Sequence, residues 1–131
     1  MGTELTPLAI EAGLHGRFGF TVRQAYGVSV AITPYVYPLL LPATLVVPAL
    51  IAGNSVVLKP SGATPLSALR LVELLLESGL PDTSIACLTG DGPTLGLALC
   101  CHPLVDKMAF KGSRFAAATI RGEAGLKAVD L

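Results

Sequence analysis

The sequence predicts an α/β fold, a parallel sheet built from βαβ crossovers. Short runs of β-branched residues alternate with longer segments whose leucines keep helical spacing. Glycine and proline mark most of the junctions between them. The longest apolar stretch, "AITPYVYPLLLPATLVVPALIAGNSVVLKPSG" at residues 31–62, is itself divided into strand, helix and strand. A membrane span needs roughly 20 unbroken apolar residues. Pro34, Pro38, Pro42 and Pro48 interrupt this one, so it reads as the core of a sheet.

Each element has a local reason. "GVSVAITP", residues 27–34, is rich in β-branched residues and ends at proline, as a strand buried on both faces does. Residues 38–53 form a buried helix, with Pro38 in its first turn and Gly53 closing it. Pro42 and Pro48 predict a kink or short break within it. "SVVLKP", residues 55–60, is the second strand, which completes a crossover unit. Thr64 caps the next helix, with Pro65 at its first position. Leu66, Leu69, Val72, Leu75 and Leu76 line one side of it, and Arg70, Glu73 and Glu77 the other. Gly79 and Pro81 stop it. "SIACLTG" (84–90) and "VDKMAFKG" (105–112) are the third and fourth strands. Residues 93–101 make a short helix, ended by His102-Pro103, and His102 reads as structural. Residues 113–121 make an alanine-rich helix, and "LKAVDL" begins a fifth strand.

Composition excludes several functions. The 131 residues carry as many Lys and Arg as Asp and Glu, a net charge of zero. Nucleic-acid binding needs a basic stripe to neutralise phosphates, and none is present. The three cysteines, Cys87, Cys100 and Cys101, lack C-x-x-C spacing, which argues against a disulfide framework or a zinc site. They read as reduced, buried thiols of a cytoplasmic protein. "MGTELTPLAIEAG" has acidic residues and no apolar core, so it does not read as a signal peptide.

Sheets of this kind bind ligands beyond the carboxyl ends of their strands. Four loops meet there: "ITPYVYP", "KPSG", "TGDGPTLG" and "FKGSR". Glycine-freed backbone and a helix N-terminus suit a phosphate. Gly90, Gly92 and Gly96 give G-x-G-x-x-x-G, one residue longer than the dinucleotide fingerprint. On composition alone such glycines are more often turns and helix starts than a phosphate site.

From Arg17 onward the chain resembles the nicotinamide-cofactor domain of the aldehyde dehydrogenase superfamily. The segments that carry the likeness are "RFGFTVRQAYGVSVAITPYVYPLLLPATLVVPALIAGNSVVLKPSGATPLSAL", "ESGLPDTSIACLTGDGPTLGLAL", "HPLVDKMAFKGS" and "GLKAVDL". The resemblance implies a Rossmann-like but incomplete NAD(P)-binding domain at residues 17–131, after a lead-in at 1–16. It implies NAD or NADP as cofactor, and an aldehyde substrate only in a complete enzyme. Ile32, Thr33, Pro34 and Tyr35 match the loop lining the cofactor and substrate channel. Lys59 matches the lysine that contacts the adenosine ribose, within the loop that includes Ser61 and Gly62. Gly92 and Gly96 match glycines beside the adenine. Phe110 leads into Gly112 and Ser113, which match the turn that sets a helix N-terminus against the pyrophosphate. Read without the family, Lys59 is a solvated strand end and Ser113 an ordinary N-cap.

There are departures. The family usually has Trp-Asn where Tyr35-Val36 stands, and valine cannot donate to an oxyanion. Gly62 replaces a frequent glutamate, Lys111 a small hydroxyl residue, and Ala117 a glycine. The family continues past the position of Leu131 into "ELGG" with its catalytic glutamate, and the nucleophilic cysteine follows later. The resemblance therefore implies a fragment that binds cofactor without the covalent chemistry. The alternatives are a degenerate nucleotide-binding module and a structural partner. Exposed apolar surface predicts self-association or docking to the missing parts.

Overall fold

The computed structural model describes Leu5–Pro7 and residues 20–131. Strand β1 (Leu5–Pro7) pairs antiparallel with β2 (Phe20–Val22). The expected boundary between residues 16 and 17 lies outside the described residues. The chain then alternates: β3 (Val28–Ile32), α1 (Leu40–Ile51), β4 (Ser55–Lys59) and α2 (Leu66–Glu77). It continues through β5 (Ile85–Cys87), α3 (Gly92–Cys101), β6 (Lys107–Phe110), α4 (Arg114–Glu123) and β7 (Ala128–Asp130). The last five strands form one parallel sheet in the order β5-β4-β3-β6-β7, the Rossmann-like arrangement expected.

Alternation along β3 divides the core between the two faces of the sheet. Val30 and Ile32 pack with Met108, Phe110, Cys100 and Ile120, beneath α3 and α4. Ala31 packs with Val46, Val56, Leu58, Ala68 and Val72, beneath α1 and α2. Asn54 ties α1 to the sheet. Its Oδ1 accepts from the Tyr26 and Gly27 amides at 2.8 and 3.1 Å, and its Nδ2 donates to the Ala49 carbonyl at 2.9 Å.

The structure corrects several expectations. Helix α1 is continuous, and Pro38 precedes it. Pro42 is its third residue, where the missing N–H had no intrahelical partner to lose. Pro48 lies inside without ending it. Nor is α1 buried all round: Pro42 and Val46 face the core, while Leu40, Val47 and Ile51 are exposed. Pro65, not Thr64, holds the cap position of α2, and Thr64 Oγ1 donates to the Tyr35 carbonyl at 3.3 Å. The third strand shrinks to Ile85–Cys87 and the fourth to Lys107–Phe110. Of the thiols only Cys100 is buried; Cys87 is half-buried and Cys101 exposed. His102 is the structural stop expected, and its Nδ1 accepts from the Leu104 amide at 3.2 Å.

Among the described residues no helix is long and apolar enough to cross a membrane. They also hold no cluster of His, Cys, Asp and Glu suited to a metal.

Candidate functional site

Parallel pairing puts every strand's carboxyl end on one rim. The chain leaves β3 toward α1 and β4 on one side, and leaves β6 toward α4 and β7 on the other. Between them is the switch point where such sheets open a crevice. A groove occupies it. Ile32, Thr33, Pro34 and Tyr35 line it from β3, and Lys59, Ser61 and Gly62 from β4. Gly92 from α3 and Phe110, Lys111 and Gly112 after β6 complete it. All the sequence-predicted residues except Gly96 and Ser113 therefore meet in one place.

The strand ends account for the polarity. Lys59 closes β4 and is only 3% exposed. Its Nζ donates to the Pro60 carbonyl at 3.4 Å, and among the described residues it has no ion-pair partner. A buried ammonium with one long hydrogen bond lacks the acceptors that offset its dehydration. Its charge also reaches Asp91, the N-cap of α3. The Asp91 carboxyl is held below its ordinary value chiefly by the Thr94 N–H it accepts at 2.9 Å, with Lys59 adding to the effect. Thr33 Oγ1 is buried and has no hydrogen-bond partner among the described residues.

Gly112 is required by a close approach. A Cβ there would overlap Phe110 Cζ and come to 3.0 Å from Cε1. The Phe110 ring is 6% exposed and belongs to the core, so it has little room to yield. Next, Ser113 caps α4, its Oγ accepting from the Ala116 amide at 3.2 Å. No acidic residue stands in the first turn of α4, so its positive end is uncompensated. The loop after β3 holds Tyr37 at φ 47, a left-handed conformation unfavourable for an aromatic residue. Tyr35 and Tyr37 are exposed there, as is the donor-less side chain of Val36.

A second, apolar groove of about 320 Å³ continues from the first and shares Ile32, Gly92 and Phe110 with it. Gly96 lies here, with Pro93 and Leu97 of α3. Phe115, Ala116, Thr119 and Ile120 of α4 form the opposite wall. The sequence reading missed these residues apart from Gly96. Their signal was the i, i+4 spacing of Pro93 with Leu97 and of Phe115 with Thr119, read along two facing helices. Ala117, in place of a glycine, is half-buried and packs against the core.

The sequence profile described as the aldehyde dehydrogenase family matches residues 2–131, reaching back beyond Arg17 where the resemblance above begins. The chain is 44% identical to 3-sulfolactaldehyde dehydrogenase of Priestia megaterium over 128 residues, 98% of this chain and 27% of that protein. It is 49% identical to phenylacetaldehyde dehydrogenase of Pseudomonas fluorescens over 113 residues, 85% of this chain and 22% of that one. A crystal structure of betaine aldehyde dehydrogenase from Staphylococcus aureus in complex with NAD+ superimposes with a TM-score of 0.87 at 32% identity. That match covers 98% of this chain and 26% of the other. The chain thus spans about a quarter of the length of the proteins it matches.

Proposed function

Because this chain belongs to the aldehyde dehydrogenase family, we propose that its rim groove binds the nicotinamide dinucleotide, NAD or NADP, of an aldehyde-oxidising enzyme. Lys59 carries the reading, since a nearly unpartnered buried ammonium suits the hydroxyls and phosphates of a nucleotide. The uncompensated N-terminus of α4, which Ser113 caps, supports a phosphate there. The apolar groove between α3 and α4 suits the base. When bound, the nicotinamide supplies the hydride acceptor for oxidation of an aldehyde to an acid. The residues in hand contribute binding and orientation. Lys59 offers its donors, Ser113 fixes the helix end, and Phe110 forms the floor common to both grooves.

None of the three thiols is set up for nucleophilic attack. Burial pushes the Cys87 thiol up, and burial with the adjoining Cys101 pushes up Cys100. Cys101 lies beside Val105, Asp106 and Lys127, at the amino ends of β6 and β7 and away from the groove. The reading therefore assigns these residues cofactor binding without covalent catalysis. An aldehyde is bound only in the complete enzyme.

Two measurements test this. In an NMR titration with NAD or NADP, Lys59, Gly92, Gly96 and Ser113 should shift together, with affinity between about millimolar and high micromolar. No shift at saturating cofactor would overturn the reading. The 131-residue chain should also fail to reduce NAD or NADP in the presence of aldehydes. Turnover that disappears in Lys59→Ala would restore a catalytic cysteine to these residues.

One observation favours an assembly role beside cofactor binding. Tyr35, Tyr37, Leu40, Ile51 and Leu66 expose apolar surface on the rim and the outer side of α1. Self-association or docking onto further protein would cover them. Light scattering should find oligomers, and a monodisperse monomer with a sharp two-state melt would contradict this.

A further inference from the structure

We propose that the rim groove selects the phosphorylated dinucleotide, NADP, over NAD, and that the opening at Gly62 receives the extra phosphate. This rests on the dinucleotide reading above, and goes beyond it in choosing between the two cofactors.

The choice is one of charge. The cofactors differ by one phosphate on the adenosine ribose, which adds nearly two negative charges. Lys59 and Lys111 both line the groove, and no Asp or Glu does. Among the described residues neither lysine has an ion-pair partner. They stand on the two sides of β3, since Lys59 of β4 and Phe110 of β6, the residue before Lys111, both lie beside Ile32. Two strand spacings put their backbones roughly 10 Å apart, so the groove is cationic across its width. The carboxylate that Lys59 does influence, Asp91, lies outside the lining and accepts from the Thr94 amide at 2.9 Å.

Gly62 is where the ribose is read. A sheet of this class that selects NAD sets a carboxylate on the ribose hydroxyls, and that carboxylate repels a phosphate at the same point. Here the loop after β4 brings Lys59, Ser61 and Gly62 to the groove and no carboxylate. Gly62 leaves open space, because a Cβ there would meet nothing within 4 Å. Ser61 Oγ accepts from the Ala63 amide at 3.3 Å, and its O–H has no acceptor among the described residues, so it is left to donate. A buried ammonium, a free hydroxyl and an open position suit a dianion better than a neutral diol.

Calorimetric titration of the 131-residue chain tests this. NADP should bind about tenfold more tightly than NAD. The fragments 2′,5′-ADP and AMP differ by the same phosphate and should show a similar ratio. Gly62→Glu should reverse the order, whereas Gly62→Gln, of equal size and no charge, should keep NADP ahead. Neither side chain meets packed atoms at its Cβ, so the thermal melts of both variants should match that of the parent. NAD binding as tight as NADP binding would overturn the proposal while leaving the dinucleotide reading intact. So would the absence of a preference between 2′,5′-ADP and AMP, which would put the discrimination away from the ribose. Equal loss of preference in Gly62→Gln and Gly62→Glu would overturn it too, by making bulk the cause. Failure of the parent chain to bind either dinucleotide would instead remove the dinucleotide reading, and this proposal with it.

Discussion

Replacing Gly112 by alanine should damage stability and binding together through one ring. The added methyl would overlap Phe110 Cζ and approach Cε1 to 3.0 Å. Phe110 is held by Val30, Ile32, Met108 and Ile120, so it cannot swing freely into solvent. Overpacking of this kind costs about 1–3 kcal/mol. With a urea dependence of about 1–3 kcal/mol/M for a small domain, the midpoint should fall by roughly 1 M. The ring also floors both grooves, so its displacement should weaken NAD binding at least about tenfold. Gly62→Ala is the control for stability, because nothing lies within 4 Å of a Cβ there. Urea melts and calorimetric titration of both variants measure the two effects. A Gly112→Ala protein with the parent's midpoint and affinity would refute the argument, showing that the ring yields at no cost.

Gly96→Ala should separate the two effects. Alanine within α3 raises stability by about 0.5–1 kcal/mol, yet its methyl enters the apolar groove and should weaken adenine nucleotides severalfold, as melts and titrations would show. Lys59→Met should leave the urea midpoint equal or higher, since it removes a buried charge lacking an ionic partner, and should weaken dinucleotide binding by about tenfold or more. Stability should also fall in alkali. The folded state raises the Cys87 and Cys100 thiols above their ordinary 9.0, so their contribution is complete below pH 9 and is lost as pH rises through the raised values. Cys100 further loses the donor it gives to the Ile120 carbonyl at 3.3 Å, so melts of Cys100→Ala should show a shallower decline above pH 9.

Most of the architecture was legible because local signals agreed with one another. The β-branched runs became β3 and β4, and Gly53 and Gly79 stop α1 and α2 at positive φ. Misreadings came where the cost of a residue depends on its place within an element. Pro42 was read as a disruption, although at the third helical position it removes an N–H that has no partner. The apolar run of α1 was read as wholly interior, because composition cannot say which side of a uniformly apolar helix meets the sheet. In the site, the four rim loops followed from strand ends and glycines, and the individual residues from the family resemblance. The wall made by Leu97, Phe115 and Thr119 did not, since it forms only when α3 and α4 lie against each other.

The division of the core has a consequence for how the chain is made. Every member of the cluster under α1 and α2 lies between Ala31 and Cys87, so that layer can close once β5 has emerged during synthesis. The opposite layer holds Val30, Ile32 and Val57 early but receives Cys100, Val105, Met108 and Ile120 only later. Its closure requires β3 to accept β6, with Ser29 beside Lys107, a pairing distant in sequence and therefore slow to form. Between those two moments the nascent chain is a half-sheet with one sealed side and one adhesive side. A ribosomal pause between residues 88 and 99 would prolong that state, and a chaperone that binds apolar strands would act within that interval.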